Sequence, residues 1–243
     1  MVLYCMKQIP VYLQIEQDII QSISSNKLRV DDQIMTEEQL CEKYKVSRMT
    51  INKAVASLVS KGYIYRIPGK GSYVKSNLVS KKIGRCSSFT QDMIAMGIKP
   101  GSKLIEYYVK RGYDLPLVRD KLHLEDDDMI HYFVRLRSGD DSPMALSYTY
   151  ISGRCIPAID LNALESSFYE YVEHTLGLRI KNAEGEMTAV VPTEDQQKIL
   201  QIKNEALLLN THTTYLEDDR AMEYIQTYYI GSKYSYSYTI HRD

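Results

Sequence analysis

From Pro10 onward, apolar residues return at three- and four-residue steps: Tyr12, Ile15, Ile19 and Ile23. That spacing predicts one face of a helix, with Pro10 suited to its start and Asn26 near its end. Thr36 opens Thr-Glu-Glu-Gln-Leu, a Thr-x-x-Gln capping box, and Leu40, Cys41 and Tyr44 form the inner face of a second helix. Ser47 then caps a third, with Ile51, Ala54, Val55, Leu58 and Val59 facing inward and Gly62 ending it. The period changes after that glycine. Residues 63–67 and 72–75 read as strands around Pro68, Gly69, Lys70 and Gly71, which supply the backbone freedom of a tight turn.

Residues 75–85 are polar and basic with no sustained period, as in a connection between domains. Beyond them Ser88 begins a Ser-x-x-Gln capping box, and its helix stops at Gly97, with Pro100 following. Residues 103–113 and 129–137 alternate as strands, 138–143 turn the chain, and 144–151 return. Ser167 caps a helix with Glu170 three residues on, and Thr193 caps another with Gln196. Residues 206–216, 222–230 and 234–240 complete a mainly antiparallel set. The chain is therefore α+β in two domains, residues 1–75 and 86–243, joined by 76–85.

Composition sharpens this division. The formal net charge is −1, but residues 1–76 hold 11 Lys and Arg against 7 Asp and Glu, while the remainder is acidic. A basic first third on an acidic remainder suggests a nucleic-acid module joined to a domain with another task, the alternative being an uneven solvated surface. Cys5, Cys41, Cys86 and Cys155 form no CxxC pair, so neither a zinc site nor a disulfide framework is signalled. The five histidines never recur at helical i, i+4 spacing. No apolar run approaches the roughly 18 residues of a membrane helix. A cytoplasmic protein with reduced thiols, no membrane association and no cofactor is expected.

Two helices joined by a short turn, the second presenting polar residues at its start, have the geometry of a helix-turn-helix whose second helix enters the major groove. The hairpin that follows is a wing, with a glycine tip able to approach the backbone and Lys70 offering a charge. The ordered set Val-Ser-Arg-Met-Thr, an amphipathic helix, Lys-Gly-Tyr-Ile-Tyr-Arg and Gly-Lys-Gly-Ser-Tyr-Val resembles the winged helix of the GntR family of bacterial transcription regulators, over residues 8–75. The resemblance implies that Arg48 contacts a guanine. It also implies DNA contacts from Thr36, Glu37, Ser47, Thr50, Asn52 and Lys53, with Gly69, Lys70 and Gly71 on the backbone or minor groove. Two departures stand out: Glu38 and Asn52 occupy positions where the family commonly has arginine. Asn52 could hydrogen-bond adenine bidentately.

In the second domain Ser88, Phe89 and Thr90 lie at a helix start, a place for phosphate, and strand periodicity puts Phe133, Arg135 and Arg137 on one face. If that face meets the helix start, both arginines can pair with one anion. The alternative is a capped helix with solvent-facing arginines near Asp140 and Asp141. The order of elements over about 85–240 resembles the UTRA effector domain of the HutC subfamily, closest to sugar-phosphate-responsive members, and implies a chorismate-lyase-like fold. It adds Ser167, Tyr169, Glu223 and Tyr229 to the effector site, and places Ser147 and Tyr150 where close sugar-phosphate sensors carry a glutamate and a histidine. Glu223 and Tyr229, six apart, point to the same side of an undistorted strand.

The leading function is a homodimeric repressor on double-stranded operator DNA, controlled by a small effector, a phosphorylated sugar. A constitutive DNA-binding dimer and a lyase-like enzyme are the alternatives, the last without a nucleophile-base pair, metal cluster or paired acids in the sequence.

Overall fold

Pro10 stands immediately before α1 (Val11–Ser24), where its missing N–H costs nothing because the first amides of a helix have no partner inside it. A computed structural model describes residues 10–24, 27–75, 79–84, 86–203 and 205–240. The predicted helix end at Asn26 lies outside the described residues. The chain divides into two units, Met1–Asn77 and Leu78–Asp243.

In the first unit, α2 (Glu37–Tyr44) starts on the Thr36 capping box and α3 (Arg48–Ser60) on Ser47, whose side chain accepts from the Thr50 amide. Lys45, between them, turns the chain with φ 52°. Strands β1 (Ile64–Ile67) and β2 (Gly71–Val74) form the antiparallel wing. Ile15, Ile19, Leu40, Ile51, Ala54, Val55, Leu58, Ile64 and Val74 are buried together. Val59, expected inside, is exposed. It follows Leu58 by a single position, and about 100° of helical rotation carries it off the buried stripe. Gly71 sits at φ 122°, and a Cβ there would stand 2.5 Å from Nε2 of Gln33, so only glycine suits this end of the turn.

The second unit begins with a departure from the sequence-based expectation. Within the stretch expected to be a connection, β3 (Val79–Lys82) pairs in parallel with β10 (Tyr234–Ser237). The central sheet has six antiparallel strands in the order β4-β5-β6-β9-β8-β7. Their ranges are β4 (Pro100–Arg111), β5 (Met129–Gly139), β6 (Ser142–Ser152), β7 (Ile180–Val190), β8 (Leu207–Leu216) and β9 (Ala221–Ile230). Asp140 and Asp141, with φ 46° and 64°, make the two-residue turn between β5 and β6. The periodicity does not predict β7, a largely exposed edge strand whose polar run lacks alternation. The helices are α4 (Phe89–Ala95), α5 (Pro116–Lys121), α6 (Phe168–Glu170, continued by a π-helical turn Tyr171–Thr175) and α7 (Glu194–Leu200). Among the described residues no helix is long and apolar enough to cross a membrane.

One face of the sheet carries the polar residues that matter below. Across the strands, Arg135 is opposite Ser147, Ser147 opposite Thr227, and Thr227 opposite Asn210. One pair along, Arg137 faces Ala145, and Ala145 faces Tyr229. The other face carries Tyr132, Tyr150 and Tyr224, packed ring against ring.

Candidate functional site

The first unit presents its polar residues at the start of α3. The Thr36 hydroxyl is occupied by the Gln39 amide, and that of Ser47 by the amide and hydroxyl of Thr50. These hydroxyls hold helix starts. Arg48 is open to solvent (79% of its side chain) and its Nε lies 3.2 Å from Glu37. The other oxygen of Glu37 takes Arg66 of β1 at 3.0 Å, and Arg66 also donates to Asn52 at 3.3 Å. Lys53 rests its ammonium 4.1 Å from the centre of the Tyr12 ring. At the wing tip Gly69 has φ 76°, and a Cβ there would meet nothing within 4 Å, so the backbone is unobstructed. The Lys70 carbonyl accepts from Gln33 and Tyr73, which holds the turn around Gly71. Met49, 83% exposed on α3, and Arg66 were not singled out from the sequence. A methionine inside an amphipathic helix reads as core, and nothing along the chain brings Arg66 to α2.

In the second unit, Ser88, Phe89, Thr90, Arg135, Arg137, Ser147, Ser167, Tyr169, Glu223 and Tyr229 all line one cavity of ≈ 390 Å³. Ten positions spread over 142 residues of chain, from Ser88 to Tyr229, converge because β5, β6 and β9 are neighbours in the sheet and α4 and α6 adjoin the same face. The arginines are not solvent-facing. Arg135 is 5% exposed and Arg137 4%, while Asp140 instead accepts from the Lys99 amide. Arg137 donates to Ser102 and Thr90 at 3.2 Å each and lies 4.6 Å from the centre of the Phe89 ring. Arg135 makes one long bond, 3.5 Å, to the Leu164 carbonyl. The Nε of each has no partner, and neither forms an ion pair among the described residues.

Burial pulls the Arg135 pKa down to about 10, and burial together with the charge of Arg135 pulls Arg137 well below its ordinary value. A guanidinium does not release its proton in a protein, so two positive charges stand buried on one face of β5. Away from the arginines, Glu223 accepts from the Tyr169 hydroxyl at 2.7 Å and Thr214 at 2.9 Å, leaving Oε1 unpartnered. Burial raises the Glu223 pKa, opposed by Tyr169, Thr214 and Arg135. Burial, then the neighbouring carboxylate, also raises that of Tyr169. Ser147 shares a bond of 3.2 Å with Thr227. Ser167 caps α6 through the Glu170 amide. The capping box of α4 uses the Ser88 and Gln91 amides, so the amide cluster expected there is partly engaged.

Tyr150, which the resemblance sets where sugar-phosphate sensors carry a histidine, lies on the opposite face of the sheet from Ser147, because it is one residue out of step with Thr149. His212, Asn210, Thr227 and Lys81 line the cavity and were missed. Thr227 stands opposite Ser147, Asn210 opposite Thr227, and His212 opposite Ile225 one same-face position along, a proximity only pairing creates. Among the described residues no cluster of three or more His, Cys, Asp or Glu could hold a metal ion.

Residues 11–74 match the family "Bacterial regulatory proteins, gntR family", and residues 95–235 match the UTRA domain. The chain is 30% identical over 236 residues to the HTH-type transcriptional repressor NagR of Bacillus subtilis, covering 96% of each. It is 27% identical over 229 residues to the mannosyl-D-glycerate transport/metabolism system repressor MngR of Escherichia coli, covering 94% and 95%. The crystal structure of PhnF from Mycobacterium smegmatis shares the fold, with a TM-score of 0.64 at 19% identity over 96% of this chain and all of that one. These repressors are regulators, and the lyase-like enzyme considered from the sequence is set aside. With a gntR-type winged helix in its first unit and a UTRA domain in its second, the chain belongs to the gntR family of bacterial transcription regulators.

Proposed function

We propose that this protein is a repressor that binds operator DNA as a homodimer through α3 and the wing, and whose binding is changed by a small phosphorylated ligand in the cavity of the second unit. The observation that carries the ligand half is the pair of buried guanidinium groups, Arg135 and Arg137, with unpartnered Nε atoms and no ion pair within 4 Å among the described residues. Two such groups on one strand face are matched by a dianionic phosphate, which accepts several charge-assisted hydrogen bonds at once. Glu223, with one oxygen free, suits a hydroxyl of a sugar, and Tyr169 holds that carboxylate in place. Relatives named for the control of mannosyl-D-glycerate and fructoselysine utilisation support a sugar-derived effector. For the DNA half, exposed Arg48 and the open backbone at Gly69 suit a base contact and a backbone contact respectively, with Ser47, Thr50, Lys53 and Lys70 beside them.

Titration calorimetry with matched pairs of sugars and sugar phosphates tests the reading. A phosphorylated member is expected to bind and its parent to bind at least about a hundredfold more weakly, in line with the loss of two charge-assisted contacts. Arg135→Ala is expected to remove that binding while operator affinity in a gel-shift assay stays unchanged. Equal binding of both members of every pair, or a normal response in Arg135→Ala, would overturn the assignment of the cavity.

A further inference from the structure

Four side chains from three elements of the first unit meet beside the start of α3. Glu37, the first residue of α2, holds Arg48 of α3 on one carboxylate oxygen and Arg66 of the wing strand β1 on the other. The same Nη2 of Arg66 also donates to Oδ1 of Asn52 at 3.3 Å. Asn52 follows Arg48 by one helical turn, so both project from the same side of α3.

The oxygen and nitrogen ends of an amide have nearly the same shape, and their assignment follows from their partners. Arg66 carries donors only, so the end of Asn52 that meets it is the oxygen. Glu37 in turn anchors Arg66 by an ion pair. The outward end of Asn52 is therefore its NH2 group. This changes what the residue recognises. A free asparagine selects adenine by accepting from N6 while donating to N7, whereas guanine presents two acceptors, O6 and N7, on the same edge. With its oxygen held toward the wing by Arg66, Asn52 presents its NH2 outward: that group can bridge the two acceptors of guanine, O6 and N7, whereas over adenine it would set a donor against the N6 donor.

We infer that Asn52 reads a guanine as a hydrogen-bond donor, and that Arg66 and Glu37 are positioning residues that set this preference without touching the base. The adenine contact expected of Asn52 from sequence is thereby replaced. Glu37, a candidate DNA contact, becomes the anchor that holds two guanidinium groups apart and in place, where an unpaired carboxylate would repel phosphate. The inference rests on the proposed entry of α3 into the major groove.

The test is selection of the full-length protein against a library of double-stranded DNA, with affinities then measured on single-base variants of the selected site. In the wild type, guanine is expected at one base pair per half-site, and this preference is lost in Asn52→Ala. Arg66→Met frees the amide oxygen and is expected to shift that position from guanine to adenine by about tenfold, the scale of one base contact. Arg66→Lys keeps a donor and is expected to retain guanine. Adenine preference in the wild type, or an Arg66→Met protein that binds all sequences more weakly with the same preferred bases, would overturn the inference. A base profile unchanged in both Arg48→Ala and Asn52→Ala would overturn it at its root, by removing α3 from the groove.

Discussion

Single residues in the second unit show how burial turns ordinary side chains into a ligand site. Arg135 and Arg137 would carry little consequence on a surface; beside Phe168 and Phe89 they lose water without forming an ion pair among the described residues, and two positive charges are left buried in the cavity. His212 experiences the same desolvation with the opposite outcome, because imidazole can discharge. Burial, then the charge of Lys81, draws its pKa down from 6.5 to about 4, and burial also lowers that of His131. Between those two values the unfolded chain binds more protons than the folded one. The stability contribution is therefore intact above about 6.5 and is lost as the pH falls toward 4. Urea titrations at fixed pH are expected to show stability declining over this window. In His212→Gln the decline should be smaller by on the order of 1 to 2 kcal/mol, the remainder belonging to groups such as His131. Parallel declines in the two proteins would show that His212 carries no part of it.

At the scale of elements, the helix starts behave as their sequences require and one strand does not. Thr36, Ser88 and Thr193 each complete a capping box with a glutamine three residues on, a local arrangement that needs nothing from the rest of the fold. Strand β7 owes its place to contact instead. Its Gly185 lies opposite His212, and a Cβ there would stand 2.0 Å from the Thr211 carbonyl and 2.4 Å from the His212 Cβ. Backbone cannot yield as a flexible side chain can. Gly185→Ala is expected to cost roughly 1 to 3 kcal/mol, the scale of an overpacked site, and to loosen β7 first. Hydrogen exchange should show faster amides in β7 with β5 and β6 unchanged, and undisturbed β7 protection would refute the close packing at this point.

For the whole molecule, the question is how a ligand in one unit alters DNA binding by the other. A ligand shifts an equilibrium only by the difference in its affinity for the two states, and the effect is reciprocal. The chain crosses between the units just before β3, whose Lys81 lines the cavity, donates to the Ser87 carbonyl at 2.8 Å and pairs with Asp92 of α4 at 3.2 Å. Tyr234 of β10 donates to the same Asp92. An anion held, as proposed, at Arg137 and Thr90 would act on a group of residues to which the first strand of the unit is tied. Flexible Gly-Ser residues inserted between Lys75 and Val79 are expected to preserve ligand affinity and operator affinity but weaken the ligand's effect on operator binding by about fivefold or more, within the usual range of coupling. The same insertion between Ser80 and Lys81 should also weaken ligand binding, because it breaks the β3–β10 ladder. Full coupling after the first insertion would place transmission in a dimer contact of the second unit.

Much of this molecule was legible along the chain, for reasons that are local. Apolar spacing, caps and the glycine turn specified α1, α2, α3 and the wing, since each depends on residues within about four positions of one another. Alternation along β5 and β9 likewise placed Arg135 with Arg137 and Glu223 with Tyr229. Parallel pairing of β3 with β10 was not legible, because a four-residue strand with one apolar position, Val79, carries no sign of a partner 155 positions away, as from Val79 to Tyr234. Nor was the edge strand β7, whose exposed faces leave no periodic trace, nor the assignment of Tyr150 to the far side of the sheet. Local sequence dictates which elements form and which side chains share a face of each. Long-range packing dictates which faces meet, and with that whether Arg135 is a buried charge and which end of Asn52 meets Arg66. Both depend on desolvation and on hydrogen-bond partners supplied by distant segments, and those are properties of the folded chain rather than of any one stretch of it.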